Sequence, residues 1–365
     1  MKKKLDISVI IITLAIISIG NLLIFSAASG GIYYMQKQII YFCVGAALSF
    51  VFFLIPSTAY EKLASKLYGL NFIILSLVLI IGTNINGARR WFSLGFMNLQ
   101  PSELSKIFII ICLSVYLYRR RNQIKEPKTF WSSLLYVIIP TALIFKEPDL
   151  GTSIVIMTIW FVMNFIMGTD IKNIIVCILI FATLISCVWF IPGVLKPYQR
   201  DRIVSFVNPE GDSLDSGYHV AQSKIAIGSG EIKGKGFLKG GQRKLKFIPE
   251  QHTDFIFTVL GEEWGFFGAV FLLILYGLLI YRFLVIAIAT QDFIGKGIVI
   301  GVTAMFVFHI FINIGMTLGI MPVTGLPLAL VSYGGTSLIT NLIAIGLVEN
   351  VAYHSNSDNF FQKIK

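Results

Sequence analysis

Long apolar runs alternate with short polar breaks along most of this chain, and each run has about the length of a membrane-spanning helix. A helix needs about 20 residues to cross the hydrocarbon core of a bilayer. No segment shows the alternating pattern of about ten residues that marks an outer-membrane strand. The pattern therefore predicts about ten membrane-spanning helices, over residues 7–28, 38–56, 69–84, 103–118, 132–147, 151–168, 172–192, 254–281, 297–319 and 326–351.

Composition supports an all-α polytopic membrane protein. Hydrophobic residues make up 56% of the 365 residues and charged residues only 13%, whereas a soluble domain carries about one quarter charged residues. The first apolar run is longer than that of a typical cleaved signal peptide, so we expect it to remain as the first span. The four cysteines lie in or beside apolar runs without metal-ligand spacing, which is typical of buried free thiols. We expect one membrane domain over residues 1–365.

Basic residues predict the orientation of these spans. Arg119, Arg120, Arg121, Lys125 and Lys128 lie between the fourth and fifth spans, and three lysines open the chain. Short basic loops face the cytoplasm, so both termini are predicted to be cytoplasmic. The large loop 193–253, between the seventh and eighth spans, then lies outside. Its ten lysines and arginines do not oppose this orientation, because long loops escape the charge rule. The net charge of +11 follows partly from that rule and indicates no nucleic-acid partner.

The stretch 247–265, FIPEQHTDFIFTVLGEEWG, places Asp254 where the long loop turns into an apolar segment. That segment also contains Glu262 and Glu263, and two adjacent carboxylates at mid-bilayer are costly. The uncharged residues after them can cross most of the core alone. We therefore expect the first part of the segment to project into a water-filled or protein-lined cavity. The residues alone leave two roles equally open for Asp254, a catalytic base or a helix cap together with Thr253.

A second polar cluster opens the fourth span. Gln100 and Ser102 are candidate caps of that helix, and the intervening proline suits its first turn. Glu103 and Lys106 are three residues apart, so they share a helix face and can pair. Charged groups inside membrane segments usually mark functional sites. A structural salt bridge that fixes the span explains this pair equally well, and both roles can hold together.

Two further polar groups lie at predicted outer corners. Arg89 and Arg90 precede Trp91, and guanidinium groups beside an interfacial indole suit a phosphate at headgroup level. Binding of anionic lipid headgroups explains the two arginines as well. Asp149 follows Pro148 in a tight corner. Its residue type favours a helix cap, and a cavity-facing carboxylate that binds a cation or a sugar hydroxyl is the alternative.

The stretch 321–337 has Pro and Gly residues on both sides of a short apolar piece, and it contains Ser332 and Tyr333. Irregular backbone at membrane depth is tolerated only where protein or water covers it. We therefore expect a broken or re-entrant helix that builds a cavity wall. His309, in the ninth span, is expected to pack between helices rather than to bind a ligand. The sequence contains no phosphate-binding Gly-rich loop and no metal-ligand cluster.

Several segments together resemble the SEDS family of bacterial cell-wall proteins (shape, elongation, division and sporulation). They occur in the family's order and cover nearly the whole chain. The matching segments are Arg90-Trp91, 100–104 with Lys106, 148–151, 217–218, 222–230, 249–250 with 252–257, and 332–335. Residues 208–210, 218–219 and 222–224 resemble the elongation members more than the division members. Ala329 and Thr336 depart from the family pattern, which often has proline and serine there.

This resemblance implies a peptidoglycan glycosyltransferase at the outer face of the bacterial cytoplasmic membrane. Its substrate would be lipid II, a disaccharide-peptide on undecaprenyl pyrophosphate, and its product would support cell elongation and shape. The resemblance aligns Asp254 with an essential extracellular aspartate, and Glu103 and Lys106 with a functionally important pair. The candidate substrate-binding residues are Glu103, Lys106, Arg89, Arg90, Gln100, Ser102, Asp149, Lys224, His252, Thr253, Ser332 and Tyr333.

Partners and cofactors follow from the same resemblance. It implies a class B penicillin-binding protein, which supplies transpeptidation, together with other membrane proteins of the elongation complex. Asp254 suits the base that takes a proton from the acceptor hydroxyl. Arg89, Arg90, Lys106 and the loop lysines suit the leaving pyrophosphate, with a divalent cation such as Mg²⁺ or Mn²⁺ as a candidate addition. The sequence requires no cofactor.

Other functions fit the same features and stay open at this point. Ten spans, a polar cavity and a lipid-binding site also fit a lipid II flippase, although no obvious internal repeat of the kind common in transporters is present. A polymerase of the division type, from the same family, is a further alternative to the elongation type. A catalytically silent scaffold for a transpeptidase would form no polymer at all.

Overall fold

The computed structural model describes residues 5–28, 31–85, 88–93, 95, 97–190, 216–241 and 251–354, which are mostly helical. The α-helices of these residues are α1 (Ile7–Ala27), α2 (Ile32–Leu54), α3 (Ser57–Ile81), α4 (Pro101–Arg119), α5 (Pro127–Lys146), α6 (Leu150–Met167), α7 (Ile171–Phe190), α8 (Ser216–Ser229), α9 (Ile256–Ala289), α10 (Phe293–Thr317) and α11 (Gly335–His354). Three short strands, β1 (Thr83–Ile85), β2 (Ala88–Ser93) and β3 (Asn98–Leu99), lie between α3 and α4, and a 3₁₀ turn (Arg121–Gln123) follows α4.

Nine of the described helices, α1–α6 and α9–α11, are long and apolar enough to cross a membrane, and α7 contributes a shorter apolar stretch over Ile171–Thr183. The chain is therefore a multi-pass membrane protein, and the predicted all-α class is confirmed. Some helices extend beyond the predicted spans. The third begins at Ser57 rather than at 69, and the second at Ile32 rather than at 38. The helical turns outside the predicted spans contain polar residues such as Lys37 and Lys62, because a helix continues into the polar zone at either membrane face.

The centre of the bundle consists of α4, α10 and α11, whose residues are mostly buried. α10 packs against α4, α6 and α9, and α2 packs most extensively against α11. By contrast, few residues of α2 and α3 are buried, as expected of helices whose outer faces contact lipid. The polar groups described below therefore lie where several central helices meet.

α9 is broken at Gly265, which has φ +64° and ψ −159°. Only glycine adopts this backbone conformation readily. The break turns two backbone N–H groups toward a neighbouring turn: Phe266 N donates to Glu231 O at 2.9 Å, and Phe267 N donates to Ile232 O at 3.2 Å. The residues before the break are buried by protein, while large aromatic side chains after it are exposed. The sequence predicted this division between a covered part and a spanning part.

Glu262 and Glu263 lie just before this break, but they do not line the cavity that we expected for them. Both side chains are buried against the turn at 230–241. Lys235 Nζ donates to Glu262 Oε1 at 2.8 Å, and Gly241 N donates to the same oxygen at 2.7 Å. Ser26 Oγ donates to Glu263 Oε1. Protein donors therefore engage one oxygen of each carboxylate.

The chain between α10 and α11 is non-helical, whereas we predicted a re-entrant helix and a last span from residue 326. α11 begins only at Gly335. Pro327 lacks an N–H donor, Leu330 has φ +67°, and side chains satisfy the backbone instead. Tyr276 Oη donates to Ala329 O at 2.5 Å, and Gln38 Nε2 donates to Ser332 O at 3.1 Å. Buried side-chain donors thus replace the hydrogen bonds of a helix.

Two more segments have secondary structure that the sequence analysis did not predict. The strands between α3 and α4 form an antiparallel sheet in the order β1-β2-β3, which the apolar pattern did not reveal. Part of the predicted loop 193–253 is helical, because it contains α8. Residues 191–215 and 242–250 of that region, including the family-matching positions 208–210 and 249–250, lie outside the described residues.

Candidate active site

A cavity of about 530 Å³ opens where three helices, α4, α6 and α11, begin. Helix N-termini carry partial positive charge and unpaired N–H groups. Seven of the predicted site residues line the cavity: Arg90, Gln100, Glu103, Asp149, Thr253, Asp254 and Tyr333. The non-helical segment after α10 contributes part of the wall, at residues 324–327 and 333–334. The cavity therefore brings together residues from widely separated parts of the chain.

Asp254 lies in a turn immediately before α9, and three successive carbonyl oxygens of this turn accept hydrogen bonds. The bonds run from Tyr333 N to His252 O (2.9 Å), from Ser332 Oγ to Thr253 O (2.5 Å) and from Asn313 Nδ2 to Asp254 O (2.9 Å). Main-chain bonds of this kind fix the turn without occupying the carboxylate. Gly325 lies beside that carboxylate, because a Cβ on it would be 3.4 Å from Asp254 Oδ2.

The geometry bears on the two roles that the residues left open for Asp254. The residue at the N-cap position of α9 is Phe255, whose side chain makes no capping hydrogen bond. Asp254 thus precedes the cap position, and its carboxylate lines the cavity instead. By contrast, Asp292 caps α10 in the ordinary way and accepts hydrogen bonds from Ile294 N and Gly295 N. The position of Asp254 therefore favours the role of a base over that of an ordinary N-cap.

The predicted pair of Glu103 and Lys106 is present and buried. Lys106 Nζ donates to Glu103 Oε1 at 2.8 Å and contacts His309 Nε2 at 3.0 Å. His309 Nδ1 is 3.2 Å from Pro327 O. Lys106 is fully buried, so it cannot touch a substrate in the cavity. Glu103 lines the cavity, and among the described residues its second oxygen has no hydrogen-bond partner.

Asp149 joins the N-termini of two helices. Its Oδ1 accepts a hydrogen bond from Thr152 N at 3.1 Å and so caps α6. Its Oδ2 accepts from Gln100 Nε2 at 2.9 Å and from Ser102 Oγ at 3.1 Å, both at the start of α4. Protein donors therefore already engage both oxygens of Asp149. This favours the capping interpretation over the binding of a cation or a sugar hydroxyl.

An aromatic cluster connects α2 to the turn that carries Asp254. Tyr34 contacts the His252 ring at a centroid distance of 4.5 Å and the Tyr333 ring at 5.1 Å. Tyr41 and Tyr333 both line the cavity. Burial, followed by the neighbouring Tyr41 hydroxyl, raises the pKa of Tyr333 above its usual value. The Tyr333 phenol thus stays protonated at neutral pH and can donate a hydrogen bond.

Glu147 lies behind the cavity wall, in the corner between α5 and α6. Its side chain is completely buried, and within the described structure neither carboxylate oxygen has a hydrogen-bond partner. Burial, together with the nearby Asp149 carboxylate, raises its pKa to about 9, although Arg90 opposes this shift. Glu147 is therefore protonated at neutral pH.

Six predicted binding residues do not line the cavity. They are Arg89, Ser102, Lys106, Lys224, His252 and Ser332. Arg89 and Lys224 are exposed, and the end of the Lys224 side chain lies against Gly319 instead. Ser102 and Lys106 are fully buried. The structure places these four residues outside the cavity lining, and their contact with substrate stays a prediction. His252 and Ser332 support the Asp254 turn through the contacts described above.

Several residues at or behind the cavity wall were missed by sequence reasoning, notably Lys37, Tyr41 and Asn313. Lys37 and Tyr41 line the cavity from α2. Lys37 had a usable signal, because an ionisable residue near a membrane segment is a functional candidate by default. Asn313 had none, since a single asparagine in an apolar helix does not identify its partner.

Comparison with known proteins agrees with this architecture. The chain matches the family FTSW_RODA_SPOVE, described as cell cycle protein, over residues 5–357. This chain therefore belongs to that family, and the resemblance to the SEDS proteins is confirmed. The peptidoglycan glycosyltransferase MrdB of Escherichia coli (strain K12) is 39% identical, over 97% of this chain and 95% of its own length.

Solved structures are similar over nearly the full length. One chain belongs to a peptidoglycan synthase complex that coordinates polymerization and crosslinking. It has a TM-score of 0.82 and 34% identity, over 95% of this chain and 97% of its own. The Rod shape determining protein RodA of Thermus thermophilus has a TM-score of 0.71 and 29% identity, over 96% of this chain and 98% of its own.

Proposed function

We propose that this chain is a peptidoglycan glycosyltransferase that polymerises lipid II for cell elongation. The observation that carries the proposal is Asp254, a carboxylate on the cavity wall whose main chain is held by hydrogen bonds and which lies outside the N-cap position of α9. The similarity to MrdB and RodA supports this activity and favours the elongation role over the division role. Glycosyl transfer needs a base, a stabilised leaving group and aligned substrates, and the cavity offers groups suited to each.

In the proposed reaction, the 4-hydroxyl oxygen of the acceptor sugar attacks the anomeric carbon of the donor sugar. The bond from that carbon to the pyrophosphate oxygen breaks, and its electron pair leaves with the pyrophosphate. Asp254 takes the hydroxyl proton, a role that typically contributes about 10²- to 10⁴-fold. One displacement inverts the anomeric centre and gives a β-linked product. No second carboxylate is needed as a nucleophile, unlike in retaining glycosidases.

Glu103 is proposed to position a substrate. One oxygen of its carboxylate accepts a hydrogen bond from buried Lys106, and the residue lines the cavity in which a sugar hydroxyl would lie. Arg90 is proposed to stabilise charge on the leaving group, because guanidinium groups bind phosphate oxygens through directed N–H donors. Lys106 acts only through Glu103.

The described residues do not form a dedicated metal cage. No group of three or more His, Cys, Asp or Glu side chains in the part of the chain that the structure describes is arranged to hold a metal ion. Asp149 is engaged by protein donors, and Glu103 is paired with Lys106. Mg²⁺ is often held by one or two carboxylates together with substrate phosphates. Any divalent cation here would need the substrate's pyrophosphate as a ligand, and the proposed mechanism assigns it no step.

We further propose that the cavity opens at the outer face of the bacterial cytoplasmic membrane and that both termini are cytoplasmic. Positive residues in the short loop between α4 and α5 support this orientation. Lipid II can then enter with its polyprenyl tail in lipid and its headgroup in the cavity. A class B penicillin-binding protein is the proposed partner, supported by the similarity to a chain from a synthase complex that couples polymerization with crosslinking.

The test is polymerisation of lipid II in detergent by the purified full chain with its penicillin-binding partner. We expect glycan from the wild type and at least a hundredfold slower synthesis from Asp254→Asn. Asp292→Asn is the matched control, because asparagine caps a helix about as well as aspartate. If Asp254→Asn polymerises as fast as Asp292→Asn, Asp254 is not the base.

Two other functions are outcomes of the same experiment. A flippase would form no polymer in detergent, where no membrane separates the substrates, but would move lipid II across a vesicle bilayer. A scaffold would form no polymer under either condition. Polymer from the wild type excludes both as the sole function.

A further inference from the structure

Lys37 is a cation of the cavity wall for which the sequence offered no role. It lies in the second turn of α2, and its side chain is half-buried and lines the cavity. Its Nζ is 4.6 Å from the centroid of the Tyr33 ring. No carboxylate of the described residues lies within ion-pair distance of this nitrogen. A half-buried ammonium group without a counter-ion is suited to bind an anion.

The position of Lys37 is coupled to that of Asp254 through its neighbour, Gln38. Gln38 is buried, and its amide donates to Ser332 O at 3.1 Å and accepts from Gly334 N at 3.4 Å. Ser332 Oγ in turn donates to Thr253 O, one residue before Asp254. The contact between Tyr34 and His252 adds a second connection between α2 and the same turn. Lys37 is therefore held in a fixed relation to the proposed base.

The charges of the cavity wall indicate which ligand Lys37 fits. Glu103 is compensated by Lys106, and Asp149 is engaged by its protein donors. Among the lining residues that the structure describes, the cations are Lys37 and Arg90. Arg90 lies over the Trp91 ring at 5.3 Å, and its buried Nε has no hydrogen-bond partner within the described part. Two cations without carboxylate partners thus share a cavity at which three helices begin.

We propose that Lys37 and Arg90 together bind the pyrophosphate of the donor lipid and hold it as it leaves. This inference rests on the proposed function, because the leaving pyrophosphate belongs to that reaction. Lys37 stays protonated throughout and transfers no proton; it offers N–H donors and a positive charge to the oxygen that receives the electron pair. The N-termini of α4, α6 and α11 add donors and positive potential at the same place. The bound group is recognised as a polyprenyl diphosphate.

An ordinary anionic phospholipid shares the phosphate chemistry, so the experiment compares both sources. The full chain is purified in detergent as the wild type, Lys37→Ala, Lys37→Gln, Lys37→Arg and the control Lys62→Ala. Lys62 is an exposed lysine of α3 outside the cavity. Binding of undecaprenyl pyrophosphate, undecaprenol and phosphatidylglycerol is measured for each protein. Polymerisation of lipid II is measured in parallel, and thermal unfolding identifies any variant that does not fold.

Hydrogen bonds to charged groups contribute enough that losing one weakens binding about tenfold to a hundredfold. We expect that loss for undecaprenyl pyrophosphate in Lys37→Ala and Lys37→Gln, with a smaller loss in Lys37→Arg and none in Lys62→Ala. Undecaprenol binding should not change. We also expect a comparable fall in kcat, because the contact strengthens as charge develops on the leaving group.

The outcomes separate this inference from the proposed function. If folded Lys37→Ala and Lys37→Gln bind undecaprenyl pyrophosphate like the wild type, the Lys37 site is excluded even when Asp254→Asn is inactive. An equal loss of phosphatidylglycerol binding would show a general anionic-lipid site and would also overturn the proposal. If the wild type makes no polymer while the Lys37 variants lose pyrophosphate binding selectively, the site stands and the glycosyltransferase proposal fails.

Discussion

The side-chain amide of Asn313 donates a hydrogen bond to the main-chain carbonyl of Asp254 at 2.9 Å. The same nitrogen donates to Leu326 O at 2.7 Å, in the non-helical segment of the cavity wall. Asn313 is completely buried on α10, one turn after His309. One face of α10 therefore supports both the Asp254 turn and, through His309, the buried pair at Lys106.

This relationship predicts that Asn313→Leu lowers kcat about tenfold to a hundredfold while changing KM little. Leucine cannot donate a hydrogen bond, so it leaves the carbonyl oxygens of Asp254 and Leu326 without this donor. The freed turn would let the Asp254 carboxylate shift, and a misplacement of about 1 Å costs about a hundredfold in rate. Steady-state kinetics with lipid II measure both constants.

Thr303→Val is the control for Asn313→Leu. Thr303 is buried on the same helix, but its hydroxyl donates only within the helix, to Val299 O at 2.7 Å. We expect its activity to equal that of the wild type. A fall in kcat that matches the loss of folded protein in Asn313→Leu, with unchanged activity per folded molecule, would show that Asn313 only stabilises the fold.

The Asn313 contact illustrates what sequence reasoning cannot reach. The sequence predicts where Asp254 and the Gly- and Pro-rich stretch lie, because polar or helix-breaking residues interrupt the apolar runs at both places. The contact between residues 313 and 254 depends on how α10 packs against a turn far away in the chain, and no periodicity encodes this. Lys37 did carry a signal, its charge near a membrane segment, but its place on the cavity wall depends on the packing of α2 against distant parts of the chain.

A second prediction concerns Lys106 and Glu103. Replacing Lys106 with Met leaves Glu103 in a buried wall without its counter-charge, which typically costs about 3–5 kcal/mol. We expect a fall of that size in the free energy of unfolding, with loss of polymerisation. Urea unfolding in detergent and the lipid II assay measure these effects. Glu126→Gln, a change at an exposed carboxylate outside the cavity, should alter neither.

The charge-swapped double variant, Glu103→Lys with Lys106→Glu, should not restore activity. A carboxylate at position 106 would face His309 Nε2, while Pro327 O faces Nδ1. Both partners of the ring would then be acceptors, and a neutral histidine has only one N–H to donate. Full recovery in the double variant would show that the pair acts only as a salt bridge and that His309 does not restrict its direction.

A third prediction follows from Glu147, whose pKa burial raises to about 9. Between the ordinary carboxyl pKa and this value, the folded state holds a proton that the unfolded chain releases. The free energy of unfolding therefore falls as pH rises through this window. Glu147→Gln removes this dependence, so it should be more stable than the wild type by up to about 3 kcal/mol at pH 7. Thermal unfolding at pH 5, 6, 7 and 8 measures the difference.

The direction in which the stability gain of Glu147→Gln changes with pH tests whether Glu147 is protonated in the folded protein. The stability gain of Glu147→Gln should grow steadily from pH 5 to pH 8, whereas Glu126→Gln should show no such trend, because Glu126 is exposed. A gain that shrinks as pH rises would mean that Glu147 is ionised in the folded protein, with a counter-charge that stabilises it.

The fourth prediction is that Gly265→Ala destabilises the protein by about 1–3 kcal/mol, the usual range for one residue held in strained backbone. At φ +64° and ψ −159°, a Cβ would lie 2.8 Å from Ile232 O and would also collide with Gly234 N. The turn at 230–241 would have to move, and the hydrogen bonds that Phe266 and Phe267 donate to it would weaken. Thermal unfolding and amide hydrogen exchange of this turn measure the two effects.

Gly277→Ala is the matched control, on the same helix and with nothing within 4 Å of the added carbon. Its backbone is helical, so alanine should be neutral or slightly stabilising there. Hydrogen exchange in the 230–241 turn should rise only in Gly265→Ala. If both alanine variants unfold at the same temperature with the same protection, the break in α9 does not depend on glycine. The turn would then be held by its contacts with Glu262 rather than by the backbone geometry of Gly265.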